Sequence, residues 1–252
     1  MLRRRGLLAL VPVVVLSAGA WGAAAPSRTA TGRKAMVATA NPLATAVALD
    51  VLKRGGNAVD AAVAAAFAVG VVEPDASGLG GGGGMLIRKA GGQSVYVNYY
   101  GEAPAGVAGM RYDPAADAKS AKAVLVPGAV AGLARALKDH GTFPLAAVVA
   151  PSIRLADEGF AVDGTLSGIL LDNFPVVAEN PASAAVFLRD GLPLQEGEVL
   201  RQPALAETLR AVARGGPRAF YEGAVAQAIV DGVRAAGGVL SLEELKRYEP
   251  NV

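Results

Sequence analysis

The stretch that most constrains this chain follows Asn57. From Ala61 it reads Ala-Ala-Val-Ala-Ala-Ala-Phe-Ala-Val-Gly-Val, and no polar residue interrupts it after Asp60. Asn57 suits a helix N-cap, and Asp60 places an acid in the first turn, where the helix dipole favours it. A helix running to about Val71 with no polar stripe has to be buried on all sides. The rest of the chain is therefore expected to wrap around this segment, which Glu73-Pro74 ends.

The neighbouring punctuation supplies the wrapping. Asn41 reads as a cap, Pro42 fits the first helical position, and Lys53 and Arg54 close that helix before Gly55-Gly56. Its Leu43, Val47 and Val51 share one face. Two β-like runs, Met85–Arg88 and Ser94–Tyr100, flank Lys89-Ala90-Gly91-Gly92-Gln93 as a hairpin. Helical patterns then cover 129–138, 145–158 (kinked or split at Pro151), 166–178, 204–214 and 224–236. A short helix follows Ser241, where Ser241 and Glu244 form a capping box. Gly141, Gly159, Gly215 and Gly237 stand where left-handed helix ends are expected. No repeat period is visible.

Six glycines occupy seven positions from Gly78 to Gly84. A phosphate-binding loop needs Lys and Ser/Thr after its last glycine, and Met85-Leu86 stand there instead. A dinucleotide fingerprint follows a strand and opens a helix, whereas this run follows a helix and opens a strand. Close backbone packing at the start of a strand is the reading that the local order favours.

Composition narrows the chemistry. The chain has 252 residues, 52% of them hydrophobic and 18% charged, with a formal charge of +2. That excludes wholesale disorder and gives no footprint for nucleic acid. With no Cys and a single His, His140, there is no thiol nucleophile, and neither an internal Ser-His-Asp triad nor a multi-His metal site is expected. No His/Asp/Glu spacing suggests a metal, and no cofactor is expected. Gly (32) and Ala (53) are in excess, which lets helices approach closely.

At the N-terminus, Arg3-Arg4-Arg5 precede an uncharged run from Gly6 to Leu16, and small residues follow up to Ala25. This pattern predicts a secretory signal peptide over residues 1–25, too short in its apolar part to span a bilayer comfortably. Its removal takes the charge to −1. Residues 26–34 read as a flexible leader and 35–252 as one domain, in a periplasmic or secreted protein.

Several segments carry a resemblance: Gly55-Gly56-Asn57-Ala58-Val59-Asp60-Ala61-Ala62, Val72-Glu73-Pro74, Gly78-Leu79-Gly80-Gly81-Gly82-Gly83, Val126-Pro127-Gly128, Ala150-Pro151-Ser152-Ile153-Arg154, Arg201-Gln202-Pro203, Phe220-Tyr221-Glu222-Gly223 and Gly237-Gly238-Val239-Leu240. In this order the chain resembles the large subunit of the γ-glutamyltransferase family, also called γ-glutamyltranspeptidases or glutathione hydrolases, over nearly all of 35–250. The resemblance implies an α+β fold of the N-terminal-nucleophile hydrolase type. That fold is an αββα sandwich, of which these residues are an incomplete, helix-rich large-subunit part. It also implies transfer of a γ-glutamyl group, from compounds such as glutathione, to water or an amino acid. The nucleophile is a threonine at the start of a small subunit, with its own α-amine as base. Such an amine titrates near ~7.7–8.0, so one residue serves both roles without histidine.

That threonine is not expected among these residues, so the chain reads as a truncated large subunit, inactive alone, whose partner is the small-subunit portion. Thr45, Thr142, Thr165 and Thr208 read as cap or helix residues. A non-catalytic remnant, or a subunit needing a separately encoded partner, is the alternative; a small-molecule-binding helical domain is a weaker third. Substrate contact is assigned to Tyr100, Gly101 and Glu102. Before Ala-Pro the family has Arg-Glu-x, whose arginine grips the substrate's α-carboxylate through forked hydrogen bonds. Here Tyr100 holds that position. A phenol supplies neither the charge nor the fork, which points to a non-glutamyl acyl amide as the alternative substrate. Arg88 and Arg111 are the candidates to compensate.

Overall fold

The computed structural model describes residues 29–252. The expected signal peptide, and the leader up to residue 28, lie outside the described residues. The chain divides after Lys34 into two units; the described part of the first, 29–34, carries no regular element and is exposed.

The second unit opens with α1 (Pro42–Lys53) and α2 (Ala58–Val72), then the antiparallel hairpin β1 (Gly83–Arg88) and β2 (Ser94–Tyr99). After the short α3 (Pro114–Asp117) come α4 (Ala129–His140), α5 (Leu145–Glu158), β3 (Phe160–Ala161), α6 (Gly164–Asp172), α7 (Phe174–Glu179) and α8 (Pro181–Phe187). Strands β4 (Leu188–Arg189), β5 (Leu192–Pro193) and β6 (Val199–Leu200) precede α9 (Pro203–Gly215), α10 (Arg218–Tyr221), α11 (Gly223–Ala235) and α12 (Leu242–Arg247). Two further two-stranded ladders pair β3 with β6 and β4 with β5.

Helix α2 is the centre. It packs against α1, α4 and α5, and α5 packs in turn on α9. Val63, Ala64, Phe67, Ala68 and Val71 are buried. The expectation of burial on every side needs correction: Ala58 and Ala62 are exposed and Ala66 and Val69 half-buried, a stripe at helical spacing. Methyl side chains make that stripe inexpensive to leave open, because each carries little apolar area. The helix's C-terminal end is tied from afar, since the Gln202 side-chain amide donates to the Val71 carbonyl at 2.8 Å.

Capping chemistry set the starts of α1, α2 and α12 where the sequence placed them. Asn41 and Asn57 accept backbone N–H groups of α1 and α2, and Ser241 with Glu244 closes the capping box of α12. Three expectations change. Pro151 lies inside α5, which is not split there. The segment 166–178 divides at Asn173 into α6 and α7, because Pro175 begins a new helix. Gly159 and Gly237 adopt φ of +88° and +87°, but Gly141 and Gly215 are not left-handed; Gly216 takes that conformation at +69°. Gly141 is constrained by space instead, since a Cβ there would come within 2.7 Å of Asp60 Oδ1.

The hairpin presents two unlike faces. Val97 is buried and Met85, Ile87, Val95 and Tyr99 pack against the core, while Leu86, Tyr96 and Tyr100 are exposed. At the turn, Gly92 has φ +89° and donates its N–H to the Lys89 carbonyl.

Candidate functional site

The chain leaves β2 through Tyr99, Tyr100, Gly101 and Glu102, and four segments converge there. The first is the glycine run. A Cβ on Gly82 would lie 2.8 Å from Gly101 N and 2.9 Å from Tyr99 O, so the two backbones run against each other. Close packing, the local reading of the run, holds at this position. The Gly81 carbonyl accepts both the Gly128 and Ala129 N–H groups at 2.9 Å, joining the run to the start of α4.

The second segment is Val126-Pro127-Gly128. Val126 donates its N–H to the Glu102 carbonyl at 2.8 Å. Pro127 offers its carbonyl to the Tyr221 hydroxyl at 2.8 Å, and the Tyr221 hydroxyl oxygen in turn accepts the Ala131 N–H at 3.2 Å. Gly128 and Gly132 have to be small: a side chain on Gly128 would collide with the Tyr99 carbonyl and the Tyr248 hydroxyl, and one on Gly132 with the Tyr99 ring.

The third and fourth segments are α12 with Tyr248 and the residues that follow it. The Tyr248 hydroxyl donates to the Tyr100 carbonyl at 2.8 Å. Its ring stacks on Tyr221, with centroids 5.9 Å apart and planes 13° from parallel. Burial pushes both phenols above their ordinary range, aided for Tyr248 by the Glu102 charge, so both remain protonated donors. Asn251 exchanges both backbone hydrogen bonds with Asn98, at 2.7 and 2.9 Å.

The three residues assigned from the sequence therefore sit together, with different surroundings. Tyr100 has a side chain that makes no hydrogen bond and is 69% exposed, and its N–H donates to Asn98 Oδ1 at 3.1 Å. Gly101 is packed against Leu125, where a Cβ would come within 2.8 Å. Glu102 is exposed and pairs through its backbone with Val126. Neither compensating arginine joins them. Arg88 pairs with Ser94 at the far end of the hairpin, about 20 Å from Tyr100 at ~3.4 Å per residue. Arg111 is exposed and makes no ion pair.

The cavities lie beside this strand end. A cleft of about 920 Å³ is lined by Phe143, Tyr221, Tyr248, Arg135, Lys138 and Lys246, among others. A hollow of about 530 Å³ follows the glycine run and Tyr99. None of Tyr100, Gly101 and Glu102 lines either.

A second polar concentration lies at the other end of α2. Asp60 is fully buried and accepts hydrogen bonds from Asn57 N (2.7 Å), Thr142 N (2.7 Å), Thr142 Oγ1 (2.6 Å) and Phe143 N (2.9 Å). Burial alone would raise its carboxyl; those donors outweigh it and hold it below the usual range. Asn57 also donates to the His140 carbonyl at 2.8 Å. Every contact here is internal, so this is an architectural node. Thr45 and Thr208 bond within or beside their own helices, as cap and helix residues do.

Comparison with known proteins decides the family. The gamma-glutamyltranspeptidase family model matches residues 44–252. The chain belongs to the gamma-glutamyltranspeptidase family. Among its relatives, the acylase ACY 1 proenzyme of Pseudomonas sp. (strain V22) is 40% identical over 232 residues, 87% of this chain and 42% of that protein. The glutathione hydrolase proenzyme of Escherichia coli (strain K12) is 39% identical over 225 residues, 86% of this chain and 39% of that protein. The crystal structure of Helicobacter pylori gamma-glutamyltranspeptidase superposes with a TM-score of 0.84 at 31% identity, covering 88% of this chain and 66% of that one. The chain thus spans about two fifths of the length of the curated relatives it matches. Its α+β architecture is that of the gamma-glutamyltranspeptidases, of the N-terminal-nucleophile hydrolase type.

The phenol pair went unassigned in the sequence reading. Tyr221 lies in a segment that carries the family resemblance, yet nothing in the spacing of Tyr221 or Tyr248 from Tyr100 marks them as its neighbours.

Proposed function

We propose that these residues form the large-subunit wall of an exported enzyme that transfers an acyl group from an amide, and that the strand end at Tyr100–Glu102 lines its acyl pocket. The attacking threonine and its α-amine belong, on this reading, to a small-subunit portion outside the 252 residues. The family match over residues 44–252 carries the proposal. The exposed face of Leu86, Tyr96 and Tyr100 supports it, because a solvent-facing apolar strand surface suits cover by a further portion of protein. No described helix is long and apolar enough to cross a membrane, and export rests on the pattern of residues 1–25.

Two substrate readings follow from the relatives, one a glutathione hydrolase and the other an acylase. Tyr100 favours the second. Its phenol offers a single neutral hydrogen bond, and Arg88 is too distant to supply the missing charge. Loss of a charge-assisted pair removes about 1.5–3 kcal/mol per bond from recognition of an α-carboxylate.

The test uses these residues assembled with a threonine-bearing small-subunit portion. Turnover of γ-glutamyl-p-nitroanilide is compared with that of butanoyl-p-nitroanilide, which lacks the α-amino and α-carboxylate groups. The expected result is no preference for the γ-glutamyl donor in kcat/KM, with Tyr100→Arg raising that preference about 10- to 100-fold. A strong γ-glutamyl preference that survives Tyr100→Ala overturns the acylase reading. An assembly inert toward every acyl amide overturns the acyl-transfer proposal itself.

A further inference from the structure

We infer that Tyr248 is a positioning residue for the acyl pocket: its hydroxyl, held in place by Tyr221, sets the backbone at Tyr100 and with it the direction of the side chain that meets the acyl group. The inference rests on the functional reading above and adds a residue that lies 148 positions away in sequence.

The geometry behind it is a clasp. Residues 241–248 reach the pocket segment at two points, five residues apart. Glu244 Oε1 accepts the Ala105 N–H at 2.6 Å, and the Tyr248 hydroxyl donates to the Tyr100 carbonyl at 2.8 Å. The anchor itself is firm. Ser241 and Glu244 form the capping box at the start of α12, Leu245 is buried, and the Tyr248 N–H donates to the Leu245 carbonyl. The Tyr248 ring cannot swing freely, since it lies flat on Tyr221, whose own hydroxyl is committed to the Pro127 carbonyl and the Ala131 N–H. Gly128 leaves the space that the Tyr248 hydroxyl needs.

At the pocket segment the dependence is local. The Tyr100 N–H is satisfied by Asn98, two residues back, and the Glu102 carbonyl by Val126. The Tyr100 carbonyl between them is held from outside the hairpin by Tyr248. Release of that carbonyl frees the backbone at Tyr100 to shift between its two held neighbours, and a shift of the Tyr100 Cα carries the exposed side chain with it without unfolding anything. Burial and the nearby Glu102 charge keep the phenol protonated beyond its ordinary range, so it donates this bond across the physiological pH range.

Tyr248→Phe keeps the stacked ring and deletes the hydroxyl, so it isolates the bond. In the assembled enzyme it is expected to raise KM for the acyl donor about 3- to 10-fold with kcat within twofold, because the pocket wall contributes to binding the donor rather than to attack on it. Ala206→Gly in α9, a helix that supplies no residue of the clasp, is the control for a merely structural change: it weakens a helix and is expected to leave KM unmoved. On the 252-residue chain, hydrogen exchange should quicken at 100–102 and at Val126 in Tyr248→Phe, with α1 unchanged. If the wild-type assembly turns over an acyl amide and Tyr248→Phe leaves KM where Ala206→Gly leaves it, the positioning role is overturned while the functional reading stands. A wild-type assembly inert toward all acyl amides overturns the reading and the role together.

Discussion

Asp60 is fully buried and receives four hydrogen bonds on its side chain, whereas Tyr100, forty residues on, exposes 69% of itself and is held through its backbone. Both regions join distant parts of the chain. At Asp60 a charge organises its surroundings: the carboxylate gathers the start of α2 and the turn after α4, and the donors around it leave no vacancy for a ligand. At Tyr100 the surroundings organise the residue, with carbonyls gripped by Tyr248 and Val126 while the side chain stays free. A saturated polar centre stabilises; a firmly held backbone with an idle side chain is suited to meeting something else.

Breaking the first region should have the largest effect. Asp60→Ala strands the Thr142 and Phe143 N–H groups and the Asn57 N–H of the capping box, so a loss on the order of 4 kcal/mol is expected, read as a midpoint shift in urea unfolding. Asp60→Asn should cost about half as much, because the amide keeps one acceptor oxygen. Because the folded carboxyl lies below its ordinary value, its stabilising contribution is complete above the ordinary carboxylate range and is lost as the pH falls through the lowered value. The deficit of Asp60→Asn should accordingly shrink in acid; a deficit independent of pH would show that the charge is not what matters at this node.

The clasp should respond less. Tyr221→Phe removes a buried hydroxyl that both donates to Pro127 and accepts from Ala131, and about 2 kcal/mol of lost stability is expected by thermal unfolding, because two backbone groups lose their partner. No loss would mean that the stacked rings alone hold the Val126-Pro127-Gly128 segment.

The two regions were also unequally legible. Asn57 and Asp60 stand three residues apart in a capping pattern, so the helix start was readable from local chemistry, and the hairpin was readable from its two β-like runs about Lys89-Ala90-Gly91-Gly92-Gln93. That Asp60 would also collect Thr142 and Phe143 was invisible, since those donors arrive from 82 and 83 residues away. The same holds for Tyr248 and Tyr100. The position proposed for the acyl pocket was legible only through resemblance, by a tyrosine standing where the family places an arginine. The misread glycines have a physical reason of their own: Gly141 is small because Asp60 lies against it, and a local pattern for helix ends does not register a tertiary contact.

Glu73 offers a small effect of opposite sign. Burial, and then the charges of Asp75 and Asp163, raise its carboxyl above the ordinary value, so its ionised form is disfavoured in the folded chain. Glu73→Gln should therefore stabilise at neutral pH by no more than about 1 kcal/mol. The gain should vanish as the pH falls and Glu73 protonates. An acid-independent gain would assign the effect to packing instead of charge.

The smallest stability change is expected at the position with the largest expected functional one. Tyr100→Arg alters a side chain that has no hydrogen bond and faces solvent, so unfolding should shift by no more than about 0.5 kcal/mol. The backbone bonds from Tyr248, Asn98 and Val126 do not depend on the identity of that side chain. A cation can therefore be returned to the strand end without disturbing the fold, and any gain in γ-glutamyl preference belongs to recognition alone. If Tyr100→Arg instead costs several kcal/mol, the side chain is part of the packing, and the contrast between a saturated node and a free pocket wall fails where it is most exposed.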